Sequence, residues 1–345
     1  MKLEELDVEG YEGVYRAELE TSDDEEPVAI IAIYDTTLGP ALGGTRLWDY
    51  ETEEDALEDV KRLSKGMAYK AAAADLPLGG GKAVINADPK KKTEEWFDEY
   101  GKAVEALGGK YITAEDVNTV TDDMAVVAKH TDHVVGLEEG LGDPSPITAK
   151  GTYHGILATL KEHEDYDPEN MEDVTVLIQG LGKVGGYLAE HLMEDGVHVK
   201  GSDIDEDSVK RMEEKGVEPV DPEDVYTEEC DVFAPCALGA IINDDTIDQL
   251  KCDIVAGAAN NQLKEERHAQ VLKDEGILYA PDYVINAGGL MAVFNELKGK
   301  TLEEAKRDAA GIEDRLYQMF EEARKKDITP LEAANRYAER KMEEA

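Results

Sequence analysis

The sequence is poor in cysteine, in basic residues, in long apolar runs and in histidine patterns that hold metals, and each shortage closes off a class of function. Cys230, Cys236 and Cys252 are odd in number and include no Cys-x-x-Cys pair. A disulfide framework is therefore not expected, and reduced thiols in a cytoplasm fit better. No apolar run reaches membrane-spanning length, and Met1-Lys2-Leu3-Glu4-Glu5-Leu6-Asp7 does not read as a signal peptide, so we expect a cytoplasmic protein with no membrane partner. No basic patch stands out, which argues against nucleic-acid binding through phosphates. His130 and His133 form a short His-x-x-His on no obvious metal scaffold, and none of the 7 histidines lies in His-Glu-x-x-His. No metal is expected.

What is abundant is negative charge. Against 36 basic residues stand 79 acidic ones, a formal net charge of −43, in a chain of 345 residues whose 41% hydrophobic content is close to globular. A chain of this length exposes roughly 14,000 Å², which spreads the acids on the order of 13 Å apart. The screening length is about 8 Å at physiological salt and about 3 Å at 1 M, so neighbouring acids repel in the first condition and scarcely in the second. The acids are scattered along the whole chain and not gathered in a tail. That distribution suits a halophile better than an acidic interaction module.

Length implies two domains. Val28 to Ile33 is a continuous apolar run, read as a buried strand. From Glu53 to Tyr69 the apolar positions Ala56, Leu57, Val60, Leu63 and Met67 recur at helical spacing, which puts Lys70 near a helix end. Strands are expected at Ala83–Ile85 and Tyr111–Ala114, so Glu115 and Asp116 emerge at the carboxyl end of a strand, where open α/β sheets hold their ligands. The turn-rich stretch from Gly140 to Pro146 marks the domain boundary. Beyond it, strands are expected at Val174–Ile178, Val197–Lys200, Asp231–Ala234, Ile254–Ala256 and Ile277–Tyr279. Helical patterns fill Thr301–Lys325 and Leu331–Met342. Strand and helix alternate, as in a doubly wound, mostly parallel sheet.

Two features carry chemistry. Lys70 and Lys82 lie in the least polar, most glycine-rich stretch of the chain, among Met67, Ala71 to Ala74, Leu76, Leu78 and Gly79 to Gly81. An ammonium there would be partly desolvated, fit to clamp a carboxylate or to exchange a proton near neutral pH. The second feature is Gly180-Leu181-Gly182-Lys183-Val184-Gly185, which follows an apolar strand and opens a helix. Its glycines permit a tight turn, close approach to a pyrophosphate, and close packing of helix on strand. Asp203, 23 residues after Gly180, would accept hydrogen bonds from the adenosine ribose and repel a 2′-phosphate, which favours NAD over NADP. A dinucleotide fold, two lysines and a strand-end carboxylate together suggest hydride transfer at a carbon bearing nitrogen and carboxylate. One lysine would hold the substrate carboxylate, the other would stabilise oxygen charge as water adds to an imine, and the acid would carry the amine's proton.

At this level of detail the chain resembles the glutamate/leucine/phenylalanine/valine dehydrogenase superfamily, and within it the leucine dehydrogenase branch. The resemblance runs from about Tyr34 to the last helix. It rests on Gly39-Pro40-Ala41-Leu42-Gly43-Gly44-Thr45-Arg46, the lysine segment, Tyr111 to Val117, Ala234 to Ala240, Ala258 to Leu263 and Pro281 to Gly289. It implies an α/β protein of two domains around a closing cleft. Residues 1–143 would form the substrate and oligomerisation domain, with the C-terminal helix 331–345 packing back on it, and 144–330 a Rossmann-type NAD-binding domain. It implies that Lys82 polarises the carbonyl and activates water, that Asp116 shuttles protons, and that Lys70 binds the α-carboxylate with help from the backbone of Gly43 and Gly44. Leu42, Met67, Ala114 and Val293 would surround the substrate side chain. Thr148, Asn260 and Asn261 would lie around the nicotinamide end of the cofactor and Asn286 at the cleft wall; for Thr148, Asn260 and Asn286, capping or loop hydrogen bonds are the competing role.

Glutamate enzymes of the superfamily carry a lysine at the position of Leu42 and a serine at that of Val293. Both polar partners are gone here, so a second carboxylate would be buried unpaired. The resemblance therefore implies NAD-dependent, reversible deamination of branched-chain L-amino acids to 2-oxo acids, ammonium and NADH by a homo-oligomer, often an octamer. The alternatives are a valine or phenylalanine dehydrogenase, and, from another class, a catalytically idle NAD-binding regulator. Asn118 departs from the leucine branch, which usually has glycine there.

Overall fold

A computed structural model describes residues 2–22, 27–137, 140–164, 166 and 170–345. The chain separates into two units, one of residues 1–142, 296–298 and 338–345, the other of 143–295 and 299–337.

In the first unit the strands are β1 (Lys2–Leu6), β2 (Gly13–Glu18), β3 (Val28–Asp35), β4 (Ala41–Trp48), β5 (Gly79–Asn86) and β6 (Tyr111–Glu115). They form one mixed sheet in the order β1-β2-β3-β5-β4-β6. β1, β2 and β3 run as an antiparallel meander, β3 pairs antiparallel with β5, and β4 lies parallel between β5 and β6. The apolar run in β3 is continuous because both faces are covered. Ala29, Ile31 and Ile33 pack toward Trp96, Phe97 and Tyr100 of α2 (Glu94–Ala106), while Ile30 and Ala32 pack toward Ala56 and Val60 of α1 (Glu53–Ala73). α1 starts at a capping box between Thr52 and Asp55 and lays a stripe of small residues on the sheet. A Cβ on Gly80 would lie 2.3 Å from the backbone nitrogen of Ala68, so glycine is what lets that helix sit directly on β5. α3 (Thr121–Val127) follows β6. The glycines expected ahead of the Ala83–Ile85 strand are part of it: β5 begins at Gly79, which puts Lys82 in mid-strand and not on a loop.

The second unit opens with α4 (Ser145–Glu162), then alternates β7 (Thr175–Gln179), α5 (Lys183–Glu194), β8 (His198–Ser202), α6 (Glu206–Glu213), β9 (Glu218–Pro219), β10 (Val232–Pro235), β11 (Ile254–Val255), α7 (His268–Asp274) and β12 (Leu278–Tyr279). α8 (Asp282–Ile285), α9 (Gly288–Leu297), α10 (Leu302–Ala310), α11 (Ile312–Lys326) and α12 (Pro330–Glu344) complete the chain. The sheet order is β12-β11-β10-β7-β8-β9, with every pairing parallel. The first strand, β7, is central and the order reverses beside it, which is the Rossmann arrangement. The turn expected at 140–146 ends in a helix: α4 begins at Ser145 with Pro146 in its first turn. One helical pattern expected at 301–325 is two helices broken at Gly311.

The terminal helix departs from expectation. Only residues from Ala338 onward group with the first unit, while Pro330 to Tyr337 group with the second. There Ala333 and Ala334 are fully buried and Asn335 accepts a hydrogen bond from the Tyr283 hydroxyl at 2.8 Å. Within the first unit Tyr69 donates to Glu339 at 2.9 Å and Lys341 pairs with Asp75 at 2.7 Å. Among the described residues no helix is long and apolar enough to cross a membrane.

Candidate active site

β5 runs beside β4, and β4 beside β6, so Lys82, Gly44 and the turn after β6 come together on one sheet. Lys82 is 5% exposed, with Nζ 3.1 Å from Oδ2 of Asp116. That turn is tied down at several points. The Asp116 backbone N–H donates to Thr119 Oγ1 at 2.8 Å, and the Thr119 hydroxyl donates to the Thr45 carbonyl at 2.8 Å. Asn118 takes the left-handed conformation, φ +61°, and its side-chain amide donates to the Leu47 carbonyl at 2.9 Å. Positive φ explains why glycine suits this position, and asparagine is the side chain that tolerates it best. A Cβ on Gly44 would lie 2.9 Å from the Cβ of Asp116, so the absent side chain is what lets the acid approach β4.

Gly43 has a packing role as well. A Cβ there would meet the Gly81 carbonyl at 1.7 Å, and its own carbonyl accepts from the buried Tyr111 hydroxyl at 2.6 Å. Lys70 occupies the last turn of α1 and is half-buried, as is Met67 one turn earlier. Leu42 is 2% exposed on β4 and Ala114 half-buried on β6.

Three residues that sequence reasoning did not single out complete this group. Arg46 Nε donates to Asp116 Oδ2 at 3.0 Å, and its Nη1 donates to Asp59 Oδ2 at 2.9 Å. That same oxygen of Asp59 accepts from the Tyr50 hydroxyl at 2.7 Å. Only the i+2 spacing of Arg46 from Gly44, which puts both on one face of a strand, hinted at this. Electrostatics follow from the geometry. Burial pushes the Lys82 ammonium below its ordinary pKa, against the pull of Asp116. Burial alone would raise the Asp116 carboxyl, but Lys82 and Arg46 outweigh it and hold it below the usual carboxylate range. The result is a desolvated ammonium that holds its proton less tightly than one in water, beside an acid whose ionised form is favoured.

In the second unit, Gly180 takes φ +102° at the end of β7. A Cβ on Gly185 would lie 1.9 Å from the Gly180 carbonyl, whereas one on Gly182 would meet nothing within 4 Å. Gly185 is thus needed for packing, and Gly182 borders open space. No side chain caps α5 at Gly182, so the first N–H groups of that helix are available to an anion. The loop is braced from both sides at Leu181, whose N–H donates to Asp203 Oδ2 at 2.6 Å and whose carbonyl accepts from Arg211 at 2.8 Å. Asp203 Oδ1 accepts from the Asp205 N–H at 2.9 Å, which leaves lone pairs on both oxygens for ribose hydroxyls. Lys183 pairs with Asp143 at 3.0 Å, and Val184 lies half-buried in the first turn of α5.

Thr148 bonds the Pro144 carbonyl within its helix at 3.1 Å, and a Cβ on Gly289 would lie 3.2 Å from its Oγ1, so α4 and α9 meet there. Asn261, exposed at φ +51°, follows Asn260, which accepts from the Asn286 amide at 2.9 Å. Asn286 is 5% exposed and its Oδ1 is a buried acceptor with no partner. An uncapped helix start, a glycine bordering open space and an orphaned amide oxygen fit a dinucleotide. Val293 is half-buried on α9. Of the expected residues, Lys82, Asp116, Gly43, Gly44, Leu42, Ala114, Lys70 and Met67 belong to the first unit, and the rest to the second.

Asp244, Glu265 and His268 come close enough among the described residues to suggest a metal. Arg267 already occupies the position, with bonds of 2.8 Å to Asp244 and 2.9 Å to Glu265.

Known proteins resemble the chain along most of its length. Residues 12–133 match the family described as Glu/Leu/Phe/Val dehydrogenase, dimerisation domain, and residues 197–345 match Glutamate/Leucine/Phenylalanine/Valine dehydrogenase. The chain is 50% identical over 320 residues to leucine dehydrogenase of Bacillus subtilis (strain 168), covering 91% of this chain and 87% of the relative. It is 47% identical to phenylalanine dehydrogenase of Bacillus thermotolerans, covering 91% and 84%. The crystal structure of L-tryptophan dehydrogenase from Nostoc punctiforme superposes with a TM-score of 0.86 at 45% identity, covering 97% and 96%. With an N-terminal dimerisation domain, a Rossmann-type C-terminal domain and this similarity along nine-tenths of its length, the chain belongs to the glutamate/leucine/phenylalanine/valine dehydrogenase family of amino-acid dehydrogenases.

Proposed function

We propose that the protein catalyses the reversible NAD-dependent oxidative deamination of L-leucine and related branched-chain L-amino acids, yielding the 2-oxo acid, ammonium and NADH. The observation that carries this reading is the buried Lys82 ammonium held 3.1 Å from a carboxylate that two cations keep ionised. Lys70 holds the substrate α-carboxylate. Asp116 takes the proton from the substrate ammonium. NAD, when bound, would supply the acceptor for the hydride of the α-carbon, whose nitrogen Asp116 has prepared. Lys82 directs water onto the imine carbon and stabilises the oxygen charge that develops; the proton held by Asp116 and one proton of the water pass to the departing nitrogen, which leaves as ammonium, and the water's second proton is released to solvent. The glycine loop from Gly180 to Gly185 would hold the pyrophosphate, Asp203 the ribose, and Thr148, Asn260 and Asn261 the nicotinamide end, with Asn286 bracing Asn260.

Leu42, Met67 and Ala114 of the first unit offer the substrate side chain apolar surface without a charged partner, and Val293 of the second unit is likewise apolar. A site of this kind separates substrates differing by one methylene by only about 1–3 kcal/mol. An NADH absorbance assay across L-amino acids in molar KCl should therefore show leucine, isoleucine and valine turned over within about 10–200-fold of one another. Glutamate should be rejected and NADP used poorly. Preference for glutamate would overturn the substrate reading, and no activity on any amino acid would overturn the enzyme reading. The identity with relatives named phenylalanine and tryptophan dehydrogenase supports an aromatic substrate as the second reading.

A cytoplasmic, homo-oligomeric protein, an octamer by resemblance, adapted to salt-rich surroundings completes the proposal. Its charge of −43 predicts that activity and melting temperature both rise from dilute buffer to molar KCl. A flat salt profile would remove the halophilic reading and leave the catalytic one standing.

A further inference from the structure

We infer that Arg46 is a positioning residue for the reaction: its guanidinium, anchored on Asp59, fixes the carboxylate of Asp116 against Lys82 so that one oxygen is committed to the two cations. The inference rests on the functional reading above, which leaves Arg46 without a role. Lys82 Nζ and Arg46 Nε converge on the same atom, Asp116 Oδ2, at 3.1 and 3.0 Å. Arg46 is itself aimed. Nη1 is bound to Asp59 on α1 at 2.9 Å, and Asp59 is held by the Tyr50 hydroxyl at 2.7 Å and by Arg62 at 2.8 Å. A guanidinium can reach two carboxylates at a fixed angle because its donors form a rigid fork, whereas a lysine offers one mobile point charge.

Of the charged groups around Asp116, Lys82 and Arg46 act on its titration directly. Lys82 from β5 and Arg46 from β4 face it directly, Asp59 and Arg62 from α1 and Tyr50 stand behind Arg46, and Glu115 precedes it on β6. Arg46 favours the ionised acid and, as a neighbouring cation, disfavours the charged form of Lys82. Removing its charge therefore raises the pKa of both groups. This gives a sign that simple structural damage would not: both limbs of the bell-shaped pH profile of kcat move upward together.

The test compares wild type, Arg46→Gln and Arg46→Lys by pH profiles of kcat and KM with L-leucine and NAD in molar KCl, with NAD affinity from fluorescence titration and melting temperature measured on each. Arg46→Gln should shift the acid limb up by about one pH unit, with the alkaline limb moving the same way. It should also lower kcat by about 10–100-fold while NAD affinity is unchanged. Arg46→Lys, which retains the charge, should leave the limbs near wild type yet still lower kcat by about tenfold because the fork is lost. Unmoved limbs in Arg46→Gln, or a wild-type kcat in Arg46→Lys, would overturn the inference. Should Arg46→Gln fail to fold, Arg46→Lys decides alone. An inactive wild type would instead bring down the functional reading, and this inference with it.

Discussion

Replacing Lys82 with alanine is expected to abolish NADH formation while leaving NAD binding intact. Loss of a single preorganised donor to a developing oxyanion costs about 10²–10³-fold in kcat, and in the proposed mechanism Lys82 also guides the attacking water. The variant should fold. Asp116 retains Arg46 at 3.0 Å, so its charge is not stranded. NAD affinity should not change, because the glycine loop and its braces at Asp203 and Arg211 lie in the other unit. Turnover at even a tenth of the wild-type rate would show that the buried amine is not the electrophile.

Asp116→Asn carries the second large effect, on rate and on stability together. Removing the proton carrier should lower kcat by about 10²–10⁴-fold. It also strands a charge: Lys82 and Arg46 would then face a neutral amide from inside the protein, a loss of about 3 kcal/mol at neutral pH. The pH dependence has a definite sign. Lys82 is held below its ordinary 10.5 by burial, and without the opposing pull of Asp116 it falls further. The unfolded chain then binds a proton that the folded chain does not across the window between that depressed value and 10.5, so stability rises with pH there. Denaturant midpoints should accordingly show the Asn variant closing its deficit as pH increases toward 10. A deficit independent of pH would mean that the variant suffers from lost packing and not from a stranded ammonium.

How much of this could be read from residues alone depended on whether the signal was local. β7, the glycine loop and α5 were legible because an apolar run, three glycines and a helix start fall within fifteen residues. Lys82 was conspicuous because a cation among glycines and alanines contradicts its surroundings. The edges β1 and β2 were not anticipated, since Lys2-Leu3-Glu4-Glu5-Leu6 gains its strand character only by pairing with β2. α4 escaped because it is buried on most sides and so lacks an apolar stripe. Arg46, Asp59 and Tyr50 escaped for a different reason: their partnership joins β4, the following segment and α1, and only the folded sheet brings Arg46 to Asp116, seventy positions away. The split of α12 between two units likewise reflects tertiary contacts at Asn335 and Lys341 that no periodicity reports.

The central claim is that hydrogen leaves the α-carbon of a small apolar amino acid as hydride and arrives on a nicotinamide. It is tested most directly by supplying L-[2-²H]leucine and NAD to the enzyme in molar KCl and analysing the products by mass spectrometry. The expected outcome is deuterium in the reduced nicotinamide, with ammonium and 4-methyl-2-oxopentanoate formed in equal amounts. Reduced cofactor without deuterium, or no reduction with any branched-chain L-amino acid, would contradict it.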